Sequence, residues 1–279
     1  MKKELVYQPP KWEKEQREYF RVLKQTGGKD CTLKSLQSLI ERKKESPESR
    51  DYATLYRRLY LKYHILAGDM YLIGSPDQQC ITYTYLSGMS AILAYLFHML
   101  NPPKDLHETD RRNIPSNFIL GMLELYAVNQ PLPACIRHID NPDIQLLMGD
   151  EDDTAAPSDG PNLQPDPEGP YRFEISEGEQ EAIRAVRERD SKTLKERLVK
   201  WIRAYRREPL GYADYVDIYS IAFIKLAHKL NMDCDINIIE IPSFFFDDAI
   251  CRIDPAETQV PFFEDAKAAL KQYGLDFEL

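Results

Sequence analysis

The stretch SPDQQCITYTYLSGMSAILAYLFHML, residues 75–100, decides the predicted fold. No charged side chain follows Asp77 within it. Ser75 suits the cap of a helix N-terminus, Pro76 suits the first helical position, and Gln78 stands where a capping box needs it. The stretch therefore predicts one long, uncharged helix.

The predicted helix has one face of small side chains, at Ser87, Ala91 and Ala94, and large apolar side chains elsewhere. A neighbouring helix can approach closely on the small face, so the stretch is typical of the middle of a helical bundle. Its length would also cross a hydrocarbon core of about 30 Å, which makes a membrane span the alternative. Polar residues within the stretch favour the buried soluble helix: they are Gln79, Thr82, Thr84, Ser87, Ser90 and His98.

Apolar residues recur at helical spacing along most of the chain, and no alternation long enough for a sheet is present. The predicted fold is all-α, an array of antiparallel helical hairpins around the central uncharged helix, with a long acidic loop. The predicted parts are an N-terminal bundle, 1–148, the loop, 149–170, and a C-terminal helical part, 171–279, which packs on the first.

Further helices and caps follow from the same periodicity and from turn chemistry. Helices are predicted at 12–24, after a cap at Asp30, after Ser46 and Pro47, at 116–128, at 134–139, at 176–189 from a capping box, after a cap at Asp190, at 215–230 and at 261–273, with Ser243 capping a brief aromatic turn.

Negative charge is concentrated in the second half of the chain. Residues 1–150 carry 20 basic and 18 acidic side chains, whereas residues 151–279 carry 16 and 27. Residues 149–170 hold five prolines and seven acids without Lys or Arg, a composition typical of a flexible, solvated segment. Two interpretations stay open: an electrostatic lure for a basic partner, or a solvated linker.

Several function classes find no support in the sequence. No HExxH pair, P-loop or glycine-rich fingerprint is present, so no metal, no cofactor and no catalysis are predicted. The acidic half disfavours nucleic acid, and no membrane partner is expected. Prolines and charges near the N-terminus replace a secretory apolar region, which predicts a cytoplasmic protein with reduced cysteines.

The segment VDIYSIAFIKLAHKL, residues 216–230, is followed by an acidic exit and by Ile241 and Pro242, which open a short hydrophobic turn. This pattern resembles the closing segment of a family of bacterial immunity proteins for polymorphic toxins, the group numbered forty-nine. Residues 79–100 and 118–138 are also similar to that family. The sequence departs from it at Asn231, where a glycine is usual, and by the acidic insertion.

The resemblance implies an immunity protein, an antitoxin that binds one cognate toxin domain and blocks its active site. A basic toxin would suit the acidic half, while the oligomeric state is not indicated. A helical-repeat adaptor and a helical enzyme with a dispersed site are the alternatives. Charge alone selects the candidate partner-binding residues, which are Asp150, Glu151, Asp152, Asp153, Asp159, Asp166, Glu168, Asp247 and Asp248.

Overall fold

The computed structural model describes residues 7–25, 31–45, 51–75, 77–101, 108–139, 141, 144–145, 147, 163, 176–208, 216–234, 236, 240–254 and 258–278. Within these ranges the protein is helical and contains no strand, which confirms the predicted all-α class. The α-helices are α1 (Lys11–Gln25), α2 (Cys31–Glu45), α3 (Tyr52–Leu72), α4 (Asp77–Leu100), α5 (Glu108–Ala127), α6 (Glu177–Arg187), α7 (Ser191–Arg207), α8 (Ile218–Lys229) and α9 (Phe263–Gln272). Two 3-10 helices are Ala134–His138 and Ser243–Phe246.

The uncharged helix α4 is the centre of the core, as predicted. Every residue from 84 to 98 is buried. Helix α3 packs along one side of α4 and α5 along another, and α5 in turn contacts α8. Length and composition alone would let α4 cross a membrane, but 89% of its most apolar window is buried by the surrounding protein. Apolar residues from both halves of the chain, from Leu36 to Phe277, join one hydrophobic core.

Helices α4 and α5 touch backbone to backbone at two glycines. A Cβ added to Gly88 would lie 2.7 Å from the Gly121 carbonyl oxygen, and one added to Gly121 would lie 2.6 Å from the Ala91 Cβ. Neither glycine has room for a methyl group. Ala91 therefore belongs to a close-packed face, as predicted, whereas Gly88, the residue that allows the closest approach, was not identified from the sequence.

Local capping chemistry sets several helix starts. The predicted capping box is present at α6, where the Ser176 hydroxyl accepts from the Glu179 N–H and the Glu179 carboxylate accepts from the Ser176 N–H. The predicted cap of α7 is also confirmed, because the Asp190 carboxylate accepts from the Thr193 N–H at 3.0 Å. Asp217 caps α8 in the same way.

The other predicted helix starts have different outcomes. The helix predicted after Ser46 and Pro47 is α3, which begins at Tyr52 with Asp51 as its N-cap. Ser243 caps nothing: it is the first residue of its 3-10 helix, after Pro242, which makes no side-chain cap. The proposed cap at Asp30 and the proposed first helical residue Pro76 lie outside the described residues, and α4 begins at Asp77.

Helix α5 starts eight residues earlier than the predicted Ser116, with Pro115 inside it. Proline has no N–H to donate to the carbonyl four residues before it. Pro115 is buried, and the helix continues through it despite the missing hydrogen bond.

Replacing Gly121 by alanine tests the α4–α5 contact. We expect Gly121→Ala to lower the free energy of unfolding by about 2 kcal/mol, because the new methyl group must displace the Ala91 Cβ or the helix axis. Alanine is itself the better helix former by about 1 kcal/mol, so any loss must come from packing. Urea unfolding followed by circular dichroism measures it. Ser116→Ala, on the exposed side of α5, is the matched control and should stay within about 0.5 kcal/mol of the wild type.

Candidate functional site

The nine candidate partner-binding residues fall into two groups. Asp247 and Asp248 are described and exposed. The others lie outside the described residues; they are Asp150, Glu151, Asp152, Asp153, Asp159, Asp166 and Glu168.

One residue of the acidic segment is fixed to the core. Leu163 is only 7% exposed, and its N–H donates to the His138 carbonyl at 2.9 Å beside Ile139. The interpretation of the whole segment 149–170 as solvated is therefore wrong at Leu163, since a buried leucine contributes apolar packing that the composition of the segment did not suggest.

Asp247 and Asp248 stand on a turn that follows the second 3-10 helix. We call residues 247–251 the acidic turn. The Asp247 carbonyl accepts from the N–H groups of Ile250 (3.1 Å) and Cys251 (2.9 Å), and its carboxylate accepts from the Ala249 N–H at 2.9 Å. Phe245, in the 3-10 helix that leads to the turn, is fully buried. The turn therefore has a defined backbone conformation and an apolar anchor.

A chain of hydrogen bonds connects the acidic turn to the end of α5. The Asp248 carboxylate accepts from the Asn129 side-chain amide at 2.9 Å, and the Asn129 amide oxygen accepts from the Lys225 ammonium at 2.7 Å. Asn129 lies just beyond α5 in the left-handed backbone region, with φ of 58°. Asparagine tolerates this conformation better than most residues.

Lys225 of α8 stabilises the C-terminus of α5. Its ammonium donates to the Ala127 carbonyl at 2.6 Å, one of the helix-end carbonyls without an intrahelical donor. It also lies 3.8 Å from the Cys251 Sγ and 5.8 Å from the centre of the Phe246 ring. Burial lowers the pKa of Lys225, and burial raises the pKa of the Cys251 thiol.

One local feature of the sequence indicates this cluster. Lys225 is the only charged side chain between Ile218 and Ala227 in an otherwise apolar helix. A cation in that setting needs oxygen acceptors nearby. Which acceptors it reaches depends on contacts with residues about a hundred positions away, and these contacts are not encoded locally.

A second polar cluster lies inside the bundle. The His64 Nδ1 and the Ser87 hydroxyl are 2.8 Å and 2.9 Å from the same oxygen of Glu124, which is 1% exposed. The serine contacts the carboxylate rather than the histidine, so the geometry is not that of a nucleophile activated by a base. The cluster joins α3, α4 and α5 in the core. Among the residues that the structure describes, no group of three His, Cys, Asp or Glu side chains could hold a metal ion.

A cavity of about 500 Å³ opens between α2, α3 and the first turns of α4. Its lining is uncharged and includes none of the candidate residues. The lining residues are Leu33, Met70, Ser75, Gln78, Gln79, Thr82, Tyr83 and Leu86.

One carboxyl group lies in an unfavourable environment. Asp69 is in the last turn of α3, where the carbonyl end of the helix repels negative charge. Burial raises its pKa to about 6. The folded protein therefore holds the Asp69 proton more tightly than the unfolded chain does.

No model of a known protein family matches the chain, and neither a curated protein nor a solved structure matches it.

The Asp69→Asn variant should alter how stability depends on pH. Because the folded-state pKa is raised from 3.8 to about 6, the wild type loses stability as pH rises through this interval. The variant keeps the side-chain shape without the charge and should escape that loss. The quantity to compare is the free energy of unfolding of the variant minus that of the wild type. We expect this difference to be about 2 kcal/mol more favourable to the variant at pH 7 than at pH 3, a value reduced for partial exposure. Urea unfolding at both pH values measures the difference, and equal changes would contradict a charged, desolvated Asp69.

Proposed function

We propose that the protein is an immunity protein, which binds a basic toxin domain through the acidic turn and occludes its active site. The observation that carries the proposal is the geometry of Asp247 and Asp248. Both carboxylates are exposed, yet both belong to a turn held by internal hydrogen bonds.

Fixed carboxylates are favourable for binding a cationic surface. A mobile charged side chain loses rotamer freedom when it is held by a partner, which costs about 0.5 to 1.5 kcal/mol. The hydrogen bonds of Asp247 and Asp248 already restrict these side chains in the free protein, so less rotamer freedom is lost on binding. The excess of acidic over basic side chains in residues 151–279, 27 against 16, adds a longer-range attraction that raises the association rate at low salt.

The resemblance supports a toxin as the class of partner. The residues that carry it, 216–230 and the turn opened by Ile241 and Pro242, include α8 and the aromatic 3-10 helix that leads to the acidic turn. Immunity proteins inhibit by direct binding, so the contact surface is itself the functional site. A cytoplasmic location is part of the same proposal.

Neutralisation in cells tests the proposed function. The protein would be co-expressed with the product of the neighbouring open reading frame, and growth of the host would be followed. We expect that product to be toxic alone, harmless with the protein, and bound to it in a complex of fixed stoichiometry. Turnover of a metabolite by the protein, without binding or protection, would contradict the proposal and favour the helical enzyme.

Charge removal at the acidic turn tests the proposed surface. The double variant Asp247→Asn with Asp248→Asn can still accept the hydrogen bonds from Ala249 and Asn129, but it lacks both negative charges. We expect its association rate with the toxin at low salt to fall roughly threefold to tenfold, with a weaker salt dependence. Stopped-flow binding at several salt concentrations measures both quantities.

The matched control removes two charges elsewhere on the acidic half. Glu264→Gln with Asp276→Asn changes net charge equally, at exposed positions of and after α9. Its rate should change by less than that of the acidic-turn variant. Equal effects of the two variants would point to overall charge instead of a contact at the turn.

A further inference from the structure

Lys225 and Cys251 form an amine–thiol pair inside the hydrogen-bonded cluster behind the acidic turn. The Lys225 Nζ is 3.8 Å from the Cys251 Sγ, within hydrogen-bonding reach of sulfur. The thiol donates in turn to the Phe245 carbonyl at 3.3 Å. The sulfur therefore presents its lone pairs to the lysine nitrogen, and both reacting atoms are held by other contacts.

The surroundings favour a reaction of the two groups with dioxygen. Cys251 is 2% exposed, so bulky thiols and disulfides cannot reach its sulfur, whereas dioxygen is small and apolar enough to enter a protein interior. Burial lowers the pKa of Lys225, which increases the share of neutral amine with a free lone pair. Held neighbours also react far faster than the same groups do when they diffuse separately.

We propose that Lys225 and Cys251 are a modification site, at which dioxygen joins the lysine nitrogen to the cysteine sulfur through one bridging oxygen atom. The amine loses one hydrogen and the thiol loses its hydrogen, while an N–O bond and an O–S bond form. The second oxygen atom leaves as water with those two hydrogens. Nitrogen and sulfur give up two electrons each, and dioxygen takes the four.

The bridge would attach α8 covalently to the acidic turn. Lys225 and Cys251 are separated by 26 positions in sequence, so the link closes a loop of that length and restricts the unfolded chain as a disulfide does. The bridged nitrogen keeps a single hydrogen and can no longer donate to both Ala127 and Asn129. Oxidation thus exchanges one non-covalent connection to α5 for a covalent connection to the turn.

Mass spectrometry of the purified chain tests the bridge. The Cys31→Ser background removes the exposed thiol, which would otherwise form disulfides between molecules. Protein would be kept in air-saturated or oxygen-free buffer, unfolded with a thiol-blocking reagent, and measured intact and after proteolysis. With oxygen we expect a product heavier by one oxygen atom and lighter by two hydrogens, and one cross-linked peptide containing Lys225 and Cys251. Dithiothreitol should restore the original mass.

Two variants separate the bridge from simple oxidation of sulfur. Lys225→Arg keeps a cation and N–H donors without a primary amine, and Cys251→Ser removes the sulfur; neither should give the product. Circular dichroism checks that each is folded, and the serine variant carries the test if the arginine variant is not. The Cys31→Ser protein should also show a higher thermal midpoint after oxygen exposure, which reduction reverses. An unchanged mass in the folded Cys31→Ser protein, or a gain of oxygen without loss of hydrogen, would overturn the proposal. This test does not involve the toxin, so its result is independent of the proposed function.

Discussion

The contact between Gly88 of α4 and Gly121 of α5 sets the spacing on which the rest of the bundle depends. Backbone atoms meet there with no room for a Cβ, so the two helix axes are closer than larger residues would allow. Ser87 is next to one glycine, and Glu124 is one turn beyond the other. Their 2.9 Å hydrogen bond requires this close approach, and His64 of α3 joins the same carboxylate. The small residues thus allow the polar contact as well as the apolar packing.

The close packing of α5 on α4 also fixes residues near the surface. Once Gly121 is seated on α4, the end of α5 is fixed, and with it the Ala127 carbonyl and Asn129. Lys225 of α8 binds both, and Asn129 binds Asp248. The conformation of the acidic turn is therefore coupled to α5 by three hydrogen bonds of 2.6, 2.7 and 2.9 Å. A surface turn supported in this way has less freedom than its exposed position alone would suggest.

The sequence predicted the features that depend on neighbours in the chain. The capping box at Ser176, the cap at Asp190 and the uncharged core helix are local patterns, and the structure contains them. The pairing of Gly88 with Gly121 and the capping of α5 by Lys225 join residues far apart in sequence. Composition and periodicity record that a glycine or a lysine is present, but they do not record which distant residue it meets. Charge alone accordingly selected Asp247 and Asp248 as candidates, and it gave no information on the contacts that hold them.

Asn129 has an electrostatic role because its side chain is neutral. An acid and a cation in direct contact would largely cancel each other's field outside the protein. Here a neutral amide stands between Asp248 and Lys225, accepting from the ammonium and donating to the carboxylate. The Lys225 ammonium instead binds the carbonyl end of α5, which carries a partial negative charge of its own. Asp248 is consequently positioned through Asn129 without direct contact with the Lys225 ammonium, and the carboxylates of Asp247 and Asp248 remain exposed to solvent.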